Sequence, residues 1–225
     1  KCALDALGLD GTNRLEVVLM QLVQLVRDGQ PVRMSKRTGN AIALHDLLDE
    51  VSVDAARFFF NSRHSASPIE FDLGLAVRND SENPVYYVQY AHARICTLLK
   101  NLAAEGYAVK AAADGDLSLL SSETEIALIK ELARYGEAVR LAAQNYDPSH
   151  INRYLGELSA AFHRFYNACR IKGEEKEVLY ARLKLADTAR AVLHNGMTLI
   201  GVVLNCPDWF DVSAALLDDA FARYE

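Results

Sequence analysis

The chain has 225 residues, 51% of them hydrophobic and 24% charged, a globular composition with length enough for one large or two small cores. With 24 basic against 30 acidic residues the formal charge is −6, which excludes a polycationic nucleic-acid binder. Any RNA contact has to use a local basic or aromatic face against a repulsive mean field.

In chain order, residues 2–8 read as the end of a helix stopped by Gly8, so a portion of a longer protein is expected. Residues 15–26, LEVVLMQLVQLV, are dense in aliphatic and β-branched side chains and predict a buried strand, with helix as the competitor. The Asp28-Gly29 pair predicts a tight turn into a second strand over residues 31–34. At its tip stand Arg33, Met34, Ser35, Lys36, Arg37, Thr38, Gly39 and Asn40. Three cations, two short hydroxyls and a glycine are what a phosphate-binding loop needs, although a solvated basic loop has the same composition. A short helix is expected over 45–50, and Ser52 caps another running to Phe60. Its three adjacent rings, Phe58, Phe59 and Phe60, point in three directions and predict core rather than a stacking surface. A polar loop, an extended piece at 69–72 and a helix capped by Asp72 follow.

The polar run 79–84 marks a boundary between domains at 1–78 and 79–225. Beyond it the pattern is helical: 84–104, then 123–145 opened by a Ser122-Glu125 capping box, 149–171, and 176–203 ended by Pro207. Four such helices with short connections predict an antiparallel bundle. On the first, Tyr87, Tyr90 and Arg94 lie at i, i+3 and i+7 and share a face. Two rings and a guanidinium can stack splayed bases and hold a phosphate, and the same residues fit a bundle core with outward hydroxyls. Asp187 and Arg190, three apart, read as a helix ion pair. Cys2, Cys96, Cys169 and Cys206 show no ligand spacing, so neither zinc nor disulfides are expected, and a reducing cytoplasm is the expected setting. No apolar run reaches the roughly 18 residues of a membrane span, so no membrane partner is expected.

The stretch VRMSKRTGN resembles the KMSKS signature of class I aminoacyl-tRNA synthetases, in the spelling of the arginyl-tRNA synthetases. LVQLVRDGQPV before it, and LHDLLDEVSVDAARFFFNSR, FDLGLA and NPVYYVQYAHARI after it, resemble the same family in the same order, and the likeness covers residues 1–203. A late DTAR resembles the DALR motif of that family's last helix. The resemblance implies a mainly α chain: the C-terminal part of a Rossmann-type catalytic region, with a β-hairpin and short helices, followed by an antiparallel helical anticodon-binding bundle. It implies arginine-tRNA ligase activity, with ATP and its Mg2+ as substrate and tRNA as partner, in a monomeric full-length enzyme that also binds arginine. Lys36 would be the catalytic cation, and Arg33, Met34, Ser35, Arg37, Thr38 and Gly39 would complete the ATP loop. Arg33 stands where the family usually has lysine and Arg37 where it has serine. Tyr90 and Arg94, with Tyr87 beside them, would contact the anticodon.

The second signature of the class, HIGH, does not occur in these 225 residues, and in the family it lies upstream of the part resembled. Cysteinyl-tRNA synthetases share the loop type, but KRTGN and YVQYAHARI disfavour them. The alternative of another class is a free-standing RNA- or protein-binding module derived from a synthetase, without catalysis. The tail 205–225 departs from the family ending, and no site is carried onto it.

Overall fold

The computed structural model describes residues 1–27, 29–32, 43–110 and 116–202. The expected ATP loop, including Arg33, Met34, Ser35, Lys36, Arg37, Thr38 and Gly39, lies outside the described residues, as does the tail. Two short helices, α1 (Cys2–Ala6) and α2 (Gly11–Arg14), open the chain, and α1 stops before Gly8 as the sequence implies.

The buried strand expected over 15–26 is confined to β1 (Val23–Arg27). Val17, Val18, Leu19, Met20 and Leu22 are exposed, Leu22 by 92%. High β-propensity is not enough for a strand, because a strand needs a neighbour to take its backbone hydrogen bonds. β1 has such neighbours only from Val23 onward. Its antiparallel partner β2 (Gln30–Pro31) pairs Val26 with Pro31 and Arg27 with Gln30, across a turn in which Gly29 takes φ +73°. Its parallel partner β3 (Ile69–Asp72) begins at the Val23–Ile69 pair. The sheet order is therefore β2-β1-β3.

The crossover from β1 to β3 carries α3 (Leu44–Glu50) and α4 (Val53–Phe60). Ser52 Oγ accepts from the Ala55 N–H at 3.2 Å, the predicted cap. The three phenylalanines are core: Phe58 and Phe59 are buried, and the rings of Phe59 and Phe60 lie 5.3 and 5.1 Å from that of Phe71, which is wholly buried on β3. Asp72 Oδ1 accepts from the Leu75 N–H and opens α5 (Leu73–Ala76).

The bundle starts with α6 (Pro84–Ala104), whose N-cap Asn83 is buried. Its Oδ1 accepts from the Val85 N–H at 3.1 Å, and its Nδ2 donates to the carbonyls of Ala76 and Arg78 at 3.1 and 2.8 Å. One side chain thus caps α6 and ties it to the segment after α5. Asn83→Ala leaves these groups without their partner and is expected to lower stability by about 2 kcal/mol, measured by urea denaturation. Asn83→Asp, which keeps the cap acceptor, should recover part of that loss.

The helix expected over 123–145 is two helices, α7 (Glu123–Ala133) and α8 (Tyr135–Asn145). At Arg134 the N–H bonds to the Glu131 carbonyl, one residue nearer than an α-helix requires, and this tighter turn redirects the chain. The turn brings Tyr135 within 5.8 Å of the Tyr154 ring on α9 (Ser149–Ala168), while the Arg134 guanidinium bonds Glu131 and Glu157. Among the described residues the bundle therefore has five helices rather than four. α9 also ends before the expected residue 171, because Cys169 turns extended and buries its thiol 3.3 Å from the hydroxyls of Ser122 and Thr124.

The last described helix, α10 (Lys176–Leu199), ends at Gly201 rather than at Pro207. Gly201 takes φ +72°, and the N–H groups of Gly201 and Val202 bond back to the carbonyls of Thr198 and Met197, closing the helix in a left-handed cap. Side-chain amides join the bundle to the first part of the chain: Asn152 Nδ2 donates to the Phe58 carbonyl at 2.8 Å, and Gln89 Nε2 to Asp54 at 3.1 Å. The hydrophobic core is continuous from Leu25 to Val202.

Candidate nucleic-acid interface

α6 buries Val85, Val88, Ala91, Ile95 and Leu102 along one stripe. Residues 87, 90 and 94 lie at the edge of that stripe, beside α9, where a side chain keeps one side packed and the other in solvent. Tyr90 is 46% exposed, and Tyr87 and Arg94 are half-buried. The structure brings all three together, and the reading of Tyr90 as bundle core does not hold.

The neighbouring helix completes the arrangement. Tyr86 and Tyr90 stand with ring planes 8° apart and centroids 6.2 Å apart. The His163 ring on α9 lies 5.1 Å from Tyr87 and 5.8 Å from Tyr90. The Arg94 guanidinium carbon sits 4.0 Å from the centroid of Tyr166, also on α9, and 6.0 Å from that of Tyr90, so the cation is held against aromatic faces. Arg94 Nη1 lies 3.4 Å from His163 Nδ1. Among the described residues Arg94 forms no salt bridge. Burial first, and then the Arg94 charge, hold the His163 imidazole below its ordinary range, so the ring is neutral at physiological pH.

Tyr90 and Arg94 form a ridge between two grooves. One, of about 490 Å³, runs past Tyr86, Tyr87 and His163 to Asn79, Asp80 and Ser81. The other, of about 690 Å³, runs past Tyr166 to Asn101, Glu105 and Lys172. A ridge of rings and a guanidinium, with a groove on each side, suits unstacked bases and the phosphates that join them. His163 and Tyr166 were not foreseen from sequence. Their only signal is an i, i+3 spacing on α9, and nothing local says that this edge meets the edge of α6. Asp187 and Arg190 form the expected ion pair, with Arg190 Nη2 2.8 Å from Asp187 Oδ1.

Residues 88–204 match the DALR anticodon binding domain model. The chain belongs to that family. It is mainly helical with a small sheet, as expected from sequence. Over 202 residues it is 50% identical to the arginine-tRNA ligase of Acetivibrio thermocellus and equally so to that of Caldanaerobacter subterraneus, matching 90% of this chain and 36% of each relative. The chain therefore spans about a third of the length of the curated relatives it matches. A crystal structure reported as an arginyl-tRNA synthetase from Campylobacter jejuni superposes with a TM-score of 0.72 at 31% identity, covering 89% of this chain and 42% of the other. Arginyl-tRNA synthetase from Thermus thermophilus shares the fold, with a TM-score of 0.65 at 23% identity over 79% of this chain and 33% of the other. Among the described residues no cluster of His, Cys, Asp and Glu could hold a metal ion, and no helix is long and apolar enough to cross a membrane.

Proposed function

We propose that this DALR-family chain is the C-terminal portion of an arginine-tRNA ligase, with residues 1–78 closing the catalytic region and residues 79–225 binding the anticodon of tRNA. The observation that carries the RNA-binding half is the partly exposed platform of Tyr87, Tyr90 and Arg94, backed by His163 and Tyr166. In this reading the exposed apolar run at 17–22 is covered by the remainder of the catalytic region. The ligase works in the cytoplasm as a monomer.

The reaction has two steps. The carboxylate of arginine attacks the α-phosphorus of ATP, supplied as its magnesium complex, forming arginyl-adenylate and expelling pyrophosphate. A hydroxyl of the terminal ribose of tRNA then takes the arginyl group, and AMP leaves with the bonding electrons. Lys36 supplies positive charge to the phosphates as negative charge grows on them in the first step, and Arg33, Met34, Ser35, Arg37, Thr38 and Gly39 shape the loop that carries it. The bundle contributes binding and orientation: Tyr90 stacks on an anticodon base, and Arg94 meets a phosphate or a base edge.

The test is tRNA binding by the full-length protein. Tyr90→Ala is expected to weaken binding by about 1–3 kcal/mol, the usual worth of one base–aromatic contact, with little change in thermal stability because the residue is 46% exposed. Arg94→Ala should weaken binding too, and should flatten its dependence on salt if the partner is a phosphate. Normal affinity in both variants would remove the anticodon assignment.

A further inference from the structure

The contact between Arg94 and His163 has a direction. A guanidinium has donors and no acceptor, so Nη1 at 3.4 Å from Nδ1 requires the lone pair of the imidazole to be at Nδ1. In the neutral ring the proton then lies on Nε2, which is enclosed and has no hydrogen-bond partner among the described residues. The other tautomer would set a donor against a donor at Arg94. A buried N–H left unpaired is unfavourable, so this tautomer persists because Nδ1 is needed by Arg94. The ring has little room to turn, being packed against Tyr87, Tyr90 and Phe162.

We propose that His163 is a positioning residue of the RNA platform: its unprotonated Nδ1 holds the Arg94 guanidinium over Tyr166, and protonation of the ring releases Arg94 and weakens RNA binding. The inference rests on the platform reading above and adds to it a residue and a pH dependence. The titratable and charged groups that face His163 are Arg94, Tyr87 and Tyr90 on α6, with Tyr86 of the same helix and Asp80 lining the shared groove. Asp80 is bound to Arg78 at 2.9 Å, which leaves Arg94 as the dominant charge. A proton on Nδ1 removes the acceptor and sets two cations in contact, so Arg94 turns away from Tyr166. Because burial and Arg94 keep the imidazole below its usual range, the platform is intact near neutrality and fails only on acidification.

The experiment is equilibrium binding of an arginine tRNA transcript to the full-length protein at about pH 7.5 and about pH 5.5, with circular dichroism at both as the control for folding. Wild-type affinity should fall toward about tenfold per pH unit once the pH is below the pKa of His163. His163→Asn places a carbonyl oxygen where Nδ1 lies and does not titrate, so it should bind as the wild type does near neutrality and lose the acid dependence. His163→Phe keeps a ring but has no acceptor, and should bind several-fold more weakly at both pH values. Nitrogen chemical shifts of the free protein near neutrality should show His163 protonated on Nε2. A wild-type acid profile in His163→Asn, wild-type affinity in His163→Phe, or a proton on Nδ1 would overturn the proposal. If Tyr90→Ala and Arg94→Ala still weaken binding, the platform reading survives that failure. If they do not, both fall.

Discussion

Glu125→Ala is expected to destabilise the protein by about 3–5 kcal/mol, because it breaks a buried ion pair from one side. Glu125 is 1% exposed at the first turn of α7. Its Oε1 accepts from Arg182 Nε at 2.6 Å and its Oε2 from the Ser122 N–H at 2.8 Å, so one carboxylate completes the capping box of α7 and anchors that helix to α10. Removing it leaves the Arg182 guanidinium, with 15% of its side chain exposed, with the more distant Glu174 carboxylate at 3.5 Å and the Arg170 carbonyl as its remaining ion-pair and hydrogen-bond partners among the described residues. Replacing both partners with apolar residues of similar size should be far less damaging than either single change, since no uncompensated charge is then buried. Chemical denaturation of the two single variants and the double variant measures this, and a double variant as unstable as the worse single would refute it.

The same pair gives a pH dependence with a definite sign. Burial alone would raise the Glu125 carboxyl, but donation from Arg182 and from Ser122 outweighs it and holds the group below the ordinary glutamate value of 4.5. A group whose folded pKa is depressed contributes stability that is complete above its unfolded pKa and disappears as pH falls through the folded one. The pair should therefore support α7 at neutral pH and weaken in acid below 4.5. Stability of Glu125→Gln, which keeps hydrogen-bonding capacity but does not titrate, should fall less steeply over that acid range.

Under the proposed function, Lys36→Ala in the full-length protein is expected to slow amino-acid activation by on the order of a hundredfold, the effect of losing about 3 kcal/mol of one preorganised electrostatic donor. Folding should change little, because a loop cation supports charge that grows mainly in the transition state. ATP–pyrophosphate exchange measures the activation step directly, and thermal denaturation checks the fold. A loss of less than about threefold would take Lys36 out of the phosphate-binding role. Lys36→Arg should rescue only part of the rate, since a planar fork does not replace a point cation at the same atoms.

The local chemistry of the chain was readable in advance wherever one residue satisfies its near neighbours. Ser52, Asp72 and Ser122 cap the helices they were expected to cap, and the expected tight turn falls at Gly29, because each feature is settled within four residues. The face shared by Tyr87, Tyr90 and Arg94 follows likewise from helical period alone. Helix ends were less legible. Gly201 stops α10 because a left-handed residue there lets two N–H groups close on the last turn, while Cys169 stops α9 because its thiol finds hydroxyls on another element.

The tertiary structure alone decided the rest. Residues 15–22 have the composition of a strand, yet only Val23 onward becomes one, since β3 arrives from 46 positions later and its register starts there. The bend at Arg134 exists because α8 has to turn to pack Tyr135 on Tyr154. The same holds for the candidate site. The sequence by itself determined that two rings and a cation share an edge of α6, because the helix period is intrinsic to the backbone. Only packing decided that the edge meets His163 and Tyr166 of α9, because which faces of two helices touch depends on side chains along their whole length rather than on the residues that come to form the site.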